Sequence, residues 1–238
     1  MNSCLLDHIK ESAQHGKKRL AILLDPDKLK VEDIETVCIR IDLIKADYIF
    51  VGGSLVEKEQ TDKIVKALKM ITDLPIFLFP GDHSQISEHA DGLLFLSLLS
   101  GRNPEYLIDQ QIKAAPKLKK MDLEVIPTGY ILIDGGTNSS VLKVSNTKPI
   151  DQNNESLIID TALAGMYIGK QIIYLEAGSG AIQPVNCGLI TKVKSELNIP
   201  LVVGGGIQTK KQLNLAFSSG ADIVVIGTAF ENNTYKDI

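Results

Sequence analysis

The chain of 238 residues is 44% hydrophobic and carries a formal net charge of −4 at pH 7. That length suits one domain with a sizeable core, and we predict a single domain over residues 1–238. The slightly acidic balance argues against nucleic acid as the main partner. The three cysteines lie far apart and form no C-x-x-C pair, which is typical of a reducing compartment rather than of a disulfide framework.

Neither a signal peptide nor a membrane span is expected from the sequence. Asp7, Lys10 and Glu11 occupy the place where a signal peptide would have its apolar stretch. The longest apolar run, residues 92–99, is far shorter than the roughly 20 residues that cross a bilayer. We therefore expect a soluble protein of the cytoplasm, and we leave open whether it touches a membrane surface.

Short apolar runs alternate with segments of helical spacing along the whole chain. Near-continuous apolar runs of about four to eight residues are typical of strands buried on both faces of a parallel sheet. The alternation predicts repeated βα units of the α/β class, closed into a (βα)8 barrel; an open doubly wound sheet is the alternative. The predicted strands are residues 20–24, 48–51, 76–79, 92–96, 124–127, 172–176, 201–203 and 223–226. The predicted helices include residues 57–71, 104–119, 155–169, 186–197 and 210–219.

Two segments and the tail depart from this alternation. Residues 81–90, between strands three and four, are too short and too polar for a convincing helix. Residues 134–151 are rich in Gly, Thr, Asn, Ser and Lys, and we predict a long loop, able to act as a lid, after an extended fifth strand at 130–133. The tail from Glu231 is polar, and its end is predicted to be frayed.

The first two strands end in oxygen-bearing side chains. In a (βα)8 barrel the functional residues follow the carboxyl ends of the strands, so Asp25 should point into the barrel mouth. A carboxylate there suits Mg²⁺, which binds proteins through one or two carboxylates plus substrate phosphates. Asp27 is either the cap of a short helix, with Pro26 fixing the bend, or a functional residue. Two glycines and Ser54 follow strand two, either as a tight turn or with Ser54 as a second oxygen ligand.

Groups that could transfer protons follow strand three and lie on strand six. His83 follows strand three, but a single loop histidine is weak evidence for a ligand or a general acid. Tyr174 and Glu176 stand two residues apart on strand six and therefore share one face. If that face is the barrel interior, Glu176 could accept a proton from an attacking alcohol; a structural carboxylate that binds loop amides is the alternative.

The last three strands all end in glycines and small hydroxyl residues. Gly178–Ser179–Gly180 follows strand six, Gly204–Gly205–Gly206 ends strand seven, and Gly227–Thr228 ends strand eight. Glycine lets the backbone approach a ligand closely enough for its N–H groups to bind phosphate oxygens. Three such loops in succession predict a phosphate site, whereas the Walker and dinucleotide motifs are missing from the sequence, so nucleotide cofactors are not indicated.

Five motifs in fixed order carry a family resemblance over essentially the whole chain: L-D-P-D-K (24–28), V-G-G-S (51–54), Y-L-E-A-G-S-G-A (174–181), G-G-G-I (204–207) and I-G-T-A-F-E (226–231). Together they resemble the geranylgeranylglyceryl phosphate synthase family, which includes the bacterial heptaprenylglyceryl phosphate synthases. The resemblance implies a modified (βα)8 TIM barrel in which an extended segment replaces the helix after strand three. It also implies transfer of a long-chain prenyl group, with geranylgeranyl favoured, from its diphosphate to the C3 hydroxyl of sn-glycerol 1-phosphate.

The resemblance also implies roles for individual residues. Asp25 and Ser54 match the Mg²⁺ positions, and Glu176, with Tyr174 beside it, matches the glutamate proposed to activate the hydroxyl. Leu23 stands where some family members carry a lysine, which places this chain nearer the second family group and removes one cationic phosphate contact. A homo-oligomer, either a dimer or a hexamer, is implied as well. The implied glycerol phosphate site consists of Tyr174, Leu175, Glu176, Ala177, Gly178, Ser179, Gly180, Gly205, Gly206, Gly227 and Thr228.

Two other functions remain as alternatives at this point. An isomerase or lyase that shares the phosphate-binding barrel would need acid and base groups after strands one and five, and residues 127–129 at the end of predicted strand five carry no carboxylate. A non-catalytic phosphate-binding protein would have little use for Glu176, Asp25 and Ser54 together. For the prenyl tail, Tyr106 either forms the floor of the groove or is an ordinary packed aromatic residue.

Overall fold

The structure, a computed structural model, describes residues 4–236 and contains one closed barrel of eight parallel strands. Each strand pairs with its neighbours in sequence, and the eighth strand pairs back with the first. This arrangement confirms the predicted (βα)8 barrel. The strands are β1 (Arg19–Leu24), β2 (Tyr48–Val51), β3 (Ile76–Leu78), β4 (Gly92–Leu98), β5 (Glu124–Leu132), β6 (Ile172–Glu176), β7 (Leu201–Gly204) and β8 (Ile223–Ile226).

Most of the helices cover the outside of the barrel. They are α1 (Leu5–Gln14), α2 (Ile34–Leu43), α3 (Gln60–Lys69), α4 (Gln110–Leu118), α5 (Ser140–Ser145), α6 (Glu155–Tyr167), α7 (Cys187–Glu196), α8 (Lys210–Ser218) and α9 (Thr228–Glu231). One π-helical turn, Glu105–Asp109, leads into α4, and a short 3-10 turn, Pro26–Lys28, follows β1. Over residues 4–236, no helix is long and apolar enough to cross a bilayer.

Alternate residues of each strand face the barrel interior and the helix layer. In β1, Ala21 and Leu23 pack inside, whereas Ile22 and Leu24 pack against the helices. Aromatic rings fill much of the interior, with centroids 5.3 to 6.3 Å apart along the series Tyr48, Phe77, Phe50, Phe79, Tyr130 and Tyr174. The interior is therefore a packed core, and a ligand can enter at the rim of the barrel.

Helix α1 covers the amino-terminal end of the barrel. Its Ile9 is 2% exposed and packs with the interior cluster. The carboxylate of Glu124, at the start of β5, accepts hydrogen bonds from the N–H groups of Leu5 (2.6 Å) and Leu6 (2.9 Å). A carboxylate at this position satisfies backbone donors that have no partner inside the helix. The closed end leaves the opposite face, at the carboxyl ends of the strands, for the functional site.

An irregular segment replaces the helix between β3 and β4, as the family resemblance implied. Its buried residues include Gln85 (3% exposed), whose amide oxygen accepts from the N–H groups of Gly53 (3.4 Å) and Gly81 (3.1 Å). A β-carbon on Gly81 would lie 2.4 Å from the carbonyl oxygen of Gly53. The loops after β2 and β3 therefore pack backbone to backbone.

The region around β5 corrects two predictions. The strand runs without a break from Glu124 to Leu132, so residues 124–127 and 130–132 are parts of one longer strand, and Ile133 forms an isolated bridge with Ile150. The following segment is not a featureless loop, because it contains the six-residue helix α5. The side chain of Ser139 accepts a hydrogen bond from the N–H of Leu142 and caps this helix. Six residues are too few to show helical periodicity in the sequence.

Candidate active site

A cavity of about 620 Å³ opens at the carboxyl ends of the strands. One part of its wall is polar and comes from the loops after β1, β2, β6, β7 and β8. The other part is apolar and comes from β4, α4 and α5. The apolar side chains on this wall include Phe95, Leu96, Leu98, Tyr106, Ala114, Val141 and Val144. The cavity can therefore hold a molecule with an anionic end and a long apolar tail.

The predicted glycine loops line the polar part of the cavity. The lining residues from these loops are Gly178, Ser179, Gly180, Gly205, Gly206, Gly227 and Thr228. The hydroxyl groups of Ser179 and Thr228 lie 2.9 Å apart, so the loops after β6 and β8 meet. Leu175 and Ala177 differ from the rest, because their buried side chains pack into the helix layer and do not line the cavity.

Glycine at 204 and 205 makes room for the acidic group of the site. A β-carbon on Gly204 would lie 2.4 Å from the Tyr174 hydroxyl and 2.7 Å from Oε2 of Glu176. A β-carbon on Gly205, whose φ is +82°, would lie 2.4 Å from Oε1 of Glu176. These two glycines are therefore required by packing next to Tyr174 and Glu176, independently of any ligand.

Glu176 is a buried carboxyl group with few partners. It is 7% exposed, and its Oε1 accepts a hydrogen bond of 2.7 Å from the N–H of Gly178. Burial raises the pKa of Glu176 to about 7, while the Gly178 N–H and the neighbouring Tyr174 hydroxyl act in the opposite direction. Near neutral pH this group can both accept and release a proton, as a general base requires.

Tyr174 presents a buried hydroxyl without a regular hydrogen bond. The residue is 0% exposed, its ring packs on Phe79 and Tyr130, and its oxygen has no hydrogen-bond partner in the part of the chain that the structure describes. Burial, followed by the charge of Glu176, raises the pKa of Tyr174 well above its ordinary value, so the phenol keeps its proton. An unsatisfied buried hydroxyl is costly unless a ligand or water pairs with it.

Asp25 lines the cavity, as predicted, and its partners differ from those expected. Its side chain caps the short turn after β1 by accepting from the N–H of Asp27 (3.2 Å), so Asp25 rather than Asp27 is the cap. The Asp27 carboxylate instead accepts from the N–H of Glu57 (3.1 Å) and holds the loop after β2. The second carboxylate oxygen of Asp25 lies 3.2 Å from the ammonium of Lys28.

The residues predicted for Mg²⁺ lie on the same side of the cavity. Ser54 and Asp25 both line it, and Oδ1 of Asp25 would be 3.1 Å from a β-carbon on Gly53, the residue before Ser54. Residues 4–236 contain no group of three or more His, Cys, Asp or Glu side chains that could hold a metal by themselves. One carboxylate and one hydroxyl fit Mg²⁺ when phosphate oxygens and water supply the other ligands. Asp25 also already faces a cation, the Lys28 ammonium.

Two other residues singled out in the sequence, and the carboxylate that follows β5, have defined surroundings. His83 is exposed at the cavity rim, and its Nδ1 lies 2.9 Å from Oε1 of Gln110. Tyr106 lines the apolar wall, and its hydroxyl donates a hydrogen bond to the carbonyl of Val144 in α5 (3.2 Å). Asp134, the carboxylate after the true end of β5, is exposed, accepts from the N–H of Gly136 (2.9 Å) and does not line the cavity.

Two cavity residues were not singled out from the sequence. Lys28 and Glu231 line the polar wall beside Asp25, and the carboxylate of Glu231 accepts from the N–H of Asp25 (2.8 Å) and from the ammonium of Lys28 (3.0 Å). Glu231 was assigned to the polar tail, but its side chain is 9% exposed and it ends helix α9. Lys28 is the last residue of the L-D-P-D-K motif, and Glu231 is the last residue of the I-G-T-A-F-E motif. Their place in these two motifs is the sequence feature that could have indicated a role in the site.

A closed (βα)8 barrel with glycine loops after its last strands and a buried carboxyl group at its mouth is typical of phosphate-binding barrel enzymes. The chain belongs to the PcrB family, whose sequence profile matches residues 13–238. It is 53% identical over 232 residues to the geranylgeranylglyceryl phosphate synthase of Zunongwangia profunda. The aligned region covers 98% of this chain and 99% of that protein.

Similarity extends to archaeal proteins and to a solved structure. The geranylgeranylglyceryl phosphate synthase of Pyrococcus abyssi is 41% identical over 231 residues, covering 97% of this chain and 91% of that protein. The crystal structure of (S)-3-O-geranylgeranylglyceryl phosphate synthase from Thermoplasma acidophilum, in complex with its substrate sn-glycerol-1-phosphate, superposes with a TM-score of 0.90. It is 34% identical and covers 97% of this chain and 94% of that one.

Proposed function

We propose that the protein is a Mg²⁺-dependent prenyltransferase. It joins a long-chain prenyl diphosphate, with geranylgeranyl diphosphate favoured, to the C3 hydroxyl of sn-glycerol 1-phosphate, and it releases diphosphate. The observation that carries the proposal is the cavity itself, where a glycine-lined polar rim, a buried carboxyl group and an apolar wall meet. The names of its relatives and the glycerol phosphate in the Thermoplasma structure support the same substrates.

The acceptor would bind between Glu176 and the glycine loops. Backbone N–H groups of the loops after β6, β7 and β8 bind its phosphate, with the Ser179 and Thr228 hydroxyls beside them. This anchoring aligns the C3 hydroxyl and lowers the entropic barrier to the reaction. The deprotonated Glu176 then accepts the proton of that hydroxyl as it attacks the prenyl carbon, and the Tyr174 hydroxyl donates a hydrogen bond that orients the acceptor.

The donor would lie across the opposite half of the cavity. Its prenyl tail packs along the apolar wall from β4, α4 and α5, where burial of each methylene contributes about 0.8 kcal/mol. Its diphosphate faces Asp25 and Ser54, the two residues that would hold Mg²⁺. When bound there, Mg²⁺ neutralises the diphosphate and makes it a better leaving group. The apolar wall also keeps water from the reacting carbon.

An isomerase or lyase of the same fold gains no support from the end of β5. Such a mechanism would need a carboxylate there that faces Asp25 across the cavity. Asp134 is the carboxylate after this strand, and its exposed side chain binds the N–H of Gly136 outside the cavity lining. The buried Glu176 also argues for catalysis rather than for passive phosphate binding, because an unneeded buried carboxyl group costs stability.

The reaction can be tested directly with the purified protein. It is incubated with Mg²⁺, sn-glycerol 1-phosphate and, in turn, farnesyl, geranylgeranyl, hexaprenyl and heptaprenyl diphosphate, and the lipid extract is analysed by mass spectrometry. We expect a prenylglyceryl phosphate that disappears with EDTA and does not form from sn-glycerol 3-phosphate. The best donor defines the chain length, and a folded protein that yields no product with any donor would rule out the prenyltransferase.

A further inference from the structure

The charge balance of the cavity is unusual for a site that binds two phosphate-bearing molecules. Four carboxylates line it, from Asp25, Asp82, Glu176 and Glu231. Among its described lining residues, Lys28 is the single lysine or arginine. Leu23, which points into the same cavity from β1, is apolar. Among the lysines and arginines of the described chain, a diphosphate that enters this site therefore meets Lys28 alone.

Lys28 stands between two carboxylates at the donor side of the cavity. Its Nζ lies 3.2 Å from Oδ2 of Asp25 and 3.0 Å from Oε2 of Glu231. The Lys28 side chain is 54% exposed, whereas that of Glu231 is 9% exposed and is fixed by a second hydrogen bond from the N–H of Asp25. Glu231 is thus a buried carboxylate held by two hydrogen bonds, and Lys28 is a partly exposed cation bonded to it.

The Lys28 ammonium can hold a carboxylate and an anionic ligand at the same time, because it has three N–H donors. An ammonium bound to an anionic ligand as well as to a carboxylate forms charge-assisted hydrogen bonds, which are stronger than neutral ones.

We propose that Lys28 binds the diphosphate of the prenyl donor and that Glu231 positions it for this role. The proposal rests on the proposed prenyltransferase function. When the donor enters, the ammonium exchanges the Asp25 oxygen for a diphosphate oxygen and keeps its bond to Glu231. The Asp25 carboxylate would then be free to hold Mg²⁺. Leu23, on β1, is apolar and brings no charge to the diphosphate. Lys28 thereby provides the positive charge, and it does so from the turn after β1.

The location of Lys28 favours the donor over the acceptor. Lys28 is the last residue of the turn Pro26–Lys28, and Asp25 caps this turn. Lys28 therefore belongs to the same turn as the residue predicted to face the diphosphate. The acceptor phosphate is assigned to backbone N–H groups of the loops after β6, β7 and β8, which need no side-chain cation. The two substrates therefore make different demands on Lys28, and this difference can be measured.

Titration calorimetry with inorganic pyrophosphate tests the proposal without turnover. Wild type, Lys28→Met and the control Lys30→Met are titrated with and without Mg²⁺. Lys30 lies two residues away, is 74% exposed and has a 4.0 Å contact with Glu32, so it shares the charge but not the site. We expect pyrophosphate to bind about tenfold more weakly to Lys28→Met and unchanged to Lys30→Met. Equal affinity of Lys28→Met and wild type would overturn the proposal.

Steady-state kinetics then assign the substrate. In Lys28→Met the KM for the prenyl diphosphate should rise about tenfold, the KM for sn-glycerol 1-phosphate should stay constant, and Lys28→Arg should restore much of the loss. Glu231→Gln should raise the same KM by a smaller factor. A rise in the glycerol phosphate KM instead would assign Lys28 to the acceptor and contradict the proposal.

Two further results separate the possible failures. If Lys28→Met does not fold, Lys28→Gln, which keeps a polar end near both carboxylates, is titrated in its place. If wild type binds pyrophosphate through Lys28 but yields no product with any donor, the proposed prenyltransferase function is wrong, while the role of Lys28 in binding an anion is supported. If wild type turns over but Lys28 affects neither pyrophosphate nor donor, the further proposal alone is wrong.

Discussion

The chemistry of the site depends on the partners of one residue, Glu176. A single backbone N–H, from Gly178, hydrogen-bonds to its carboxylate, whereas carboxylates with several donors ionise more easily. Gly204 and Gly205 leave the space that its two oxygens occupy, because a β-carbon at either position would collide with one of them. Sequence spacing predicted that Glu176 and Tyr174 share a face, and the structure confirms that this face is the interior.

Glu176→Gln separates catalysis from binding. Glutamine keeps the size of the side chain and can accept the Gly178 hydrogen bond, but it cannot accept a proton. We expect kcat to fall by about 10² to 10⁴-fold, with the dissociation constant of sn-glycerol 1-phosphate nearly unchanged. Rapid-quench kinetics and calorimetry measure the two quantities, and a parallel loss of both would show that the glutamate is structural.

The pH dependence of the reaction should follow Glu176. The group must be ionised to act as a base, and its pKa is raised to about 7 by burial. We therefore expect kcat/KM to decrease as the pH falls through about 7, with roughly a tenfold loss per pH unit below it. A profile that is flat from pH 5 to 8 in a series of constant ionic strength would assign the proton to another acceptor.

Glu176 should also affect the stability of the fold, but in the opposite direction: low pH favours stability, whereas high pH favours activity. An acid whose folded-state pKa is raised binds its proton more tightly in the folded state, so stability is greatest at low pH and falls as the pH rises from about 4.5 through about 7. Above that range the fold loses up to about 3 kcal/mol from this group. Urea unfolding at pH 5 and pH 8 should show this decrease in wild type and not in Glu176→Gln.

Among the elements, α5 and the start of α4 define the far end of the apolar wall. Tyr106 lies in the π-helical turn before α4, and its hydroxyl reaches the carbonyl of Val144 in α5. The segment predicted to be a lid is therefore tied to the helix that carries Tyr106. Its side chains Val141 and Val144 line the cavity. Whether this segment moves stays a prediction.

Substitution of Tyr106 tests its role as a floor. Tyr106→Ala removes the ring from the apolar wall and should shift the preferred donor from geranylgeranyl toward hexaprenyl and heptaprenyl diphosphate. Tyr106→Phe is the matched control, because it removes the bond to Val144 and keeps the ring, and it should preserve the wild-type preference. Competition among the donors, measured by mass spectrometry, gives the ratio of kcat/KM values; an identical ratio in Tyr106→Ala would make Tyr106 a packing residue.

On the scale of the whole molecule, the amino-terminal end of the barrel depends on a polar cluster around Arg19. Its guanidinium lies 2.6 Å from Oδ1 of Asp47, donates to the hydroxyl of Ser12, and lies 2.9 Å from Nε2 of His8. Its backbone N–H donates to the carbonyl of Asp222 beside β8. Arg19 therefore connects β1, α1 and the seam that closes the barrel.

Arg19→Met should destabilise the barrel without touching the active site. Removing one partner of a buried ion pair leaves the other charge unpaired, which lowers the free energy of unfolding by about 3 to 5 kcal/mol. Because the Asp47 side chain is 27% exposed, we expect the lower value, about 3 kcal/mol. The neighbouring Lys18→Met is the control. Lys18 is 32% exposed and contacts Asp222 at 3.6 Å, and Lys194 also binds Asp222, so its loss should cost less than about 1 kcal/mol. Urea unfolding measures both values, and equal stabilities would contradict this assignment.

The homo-oligomer implied by the family resemblance is not decided by one chain. The described surface includes exposed apolar residues, such as Ile112 on α4 and Tyr167 at the end of α6, but single exposed residues are common on monomers. The dimer or hexamer stays a prediction that light scattering can test. The cytoplasmic location and the membrane contact stay predictions in the same sense.

The sequence by itself determined the barrel and the main groups of its site. Apolar runs and helical spacing are local patterns, and they predicted the eight strands to within two residues at each end except in β5. Asp25 and the glycine loops were visible because they follow strands, and Glu176 was visible because it ends one. In this fold every strand ends at the same face.

Tertiary structure decided which residues became partners. Glu231 and Lys28 are 203 positions apart and meet because β8 closes onto β1, which no local pattern can show. Leu175 and Ala177 belong to the same motif as Glu176, yet they face the helices, because alternate residues of a strand point to opposite sides. The raised pKa of Glu176 likewise depends on burial by distant strands, whereas the identity of the residue is fixed locally.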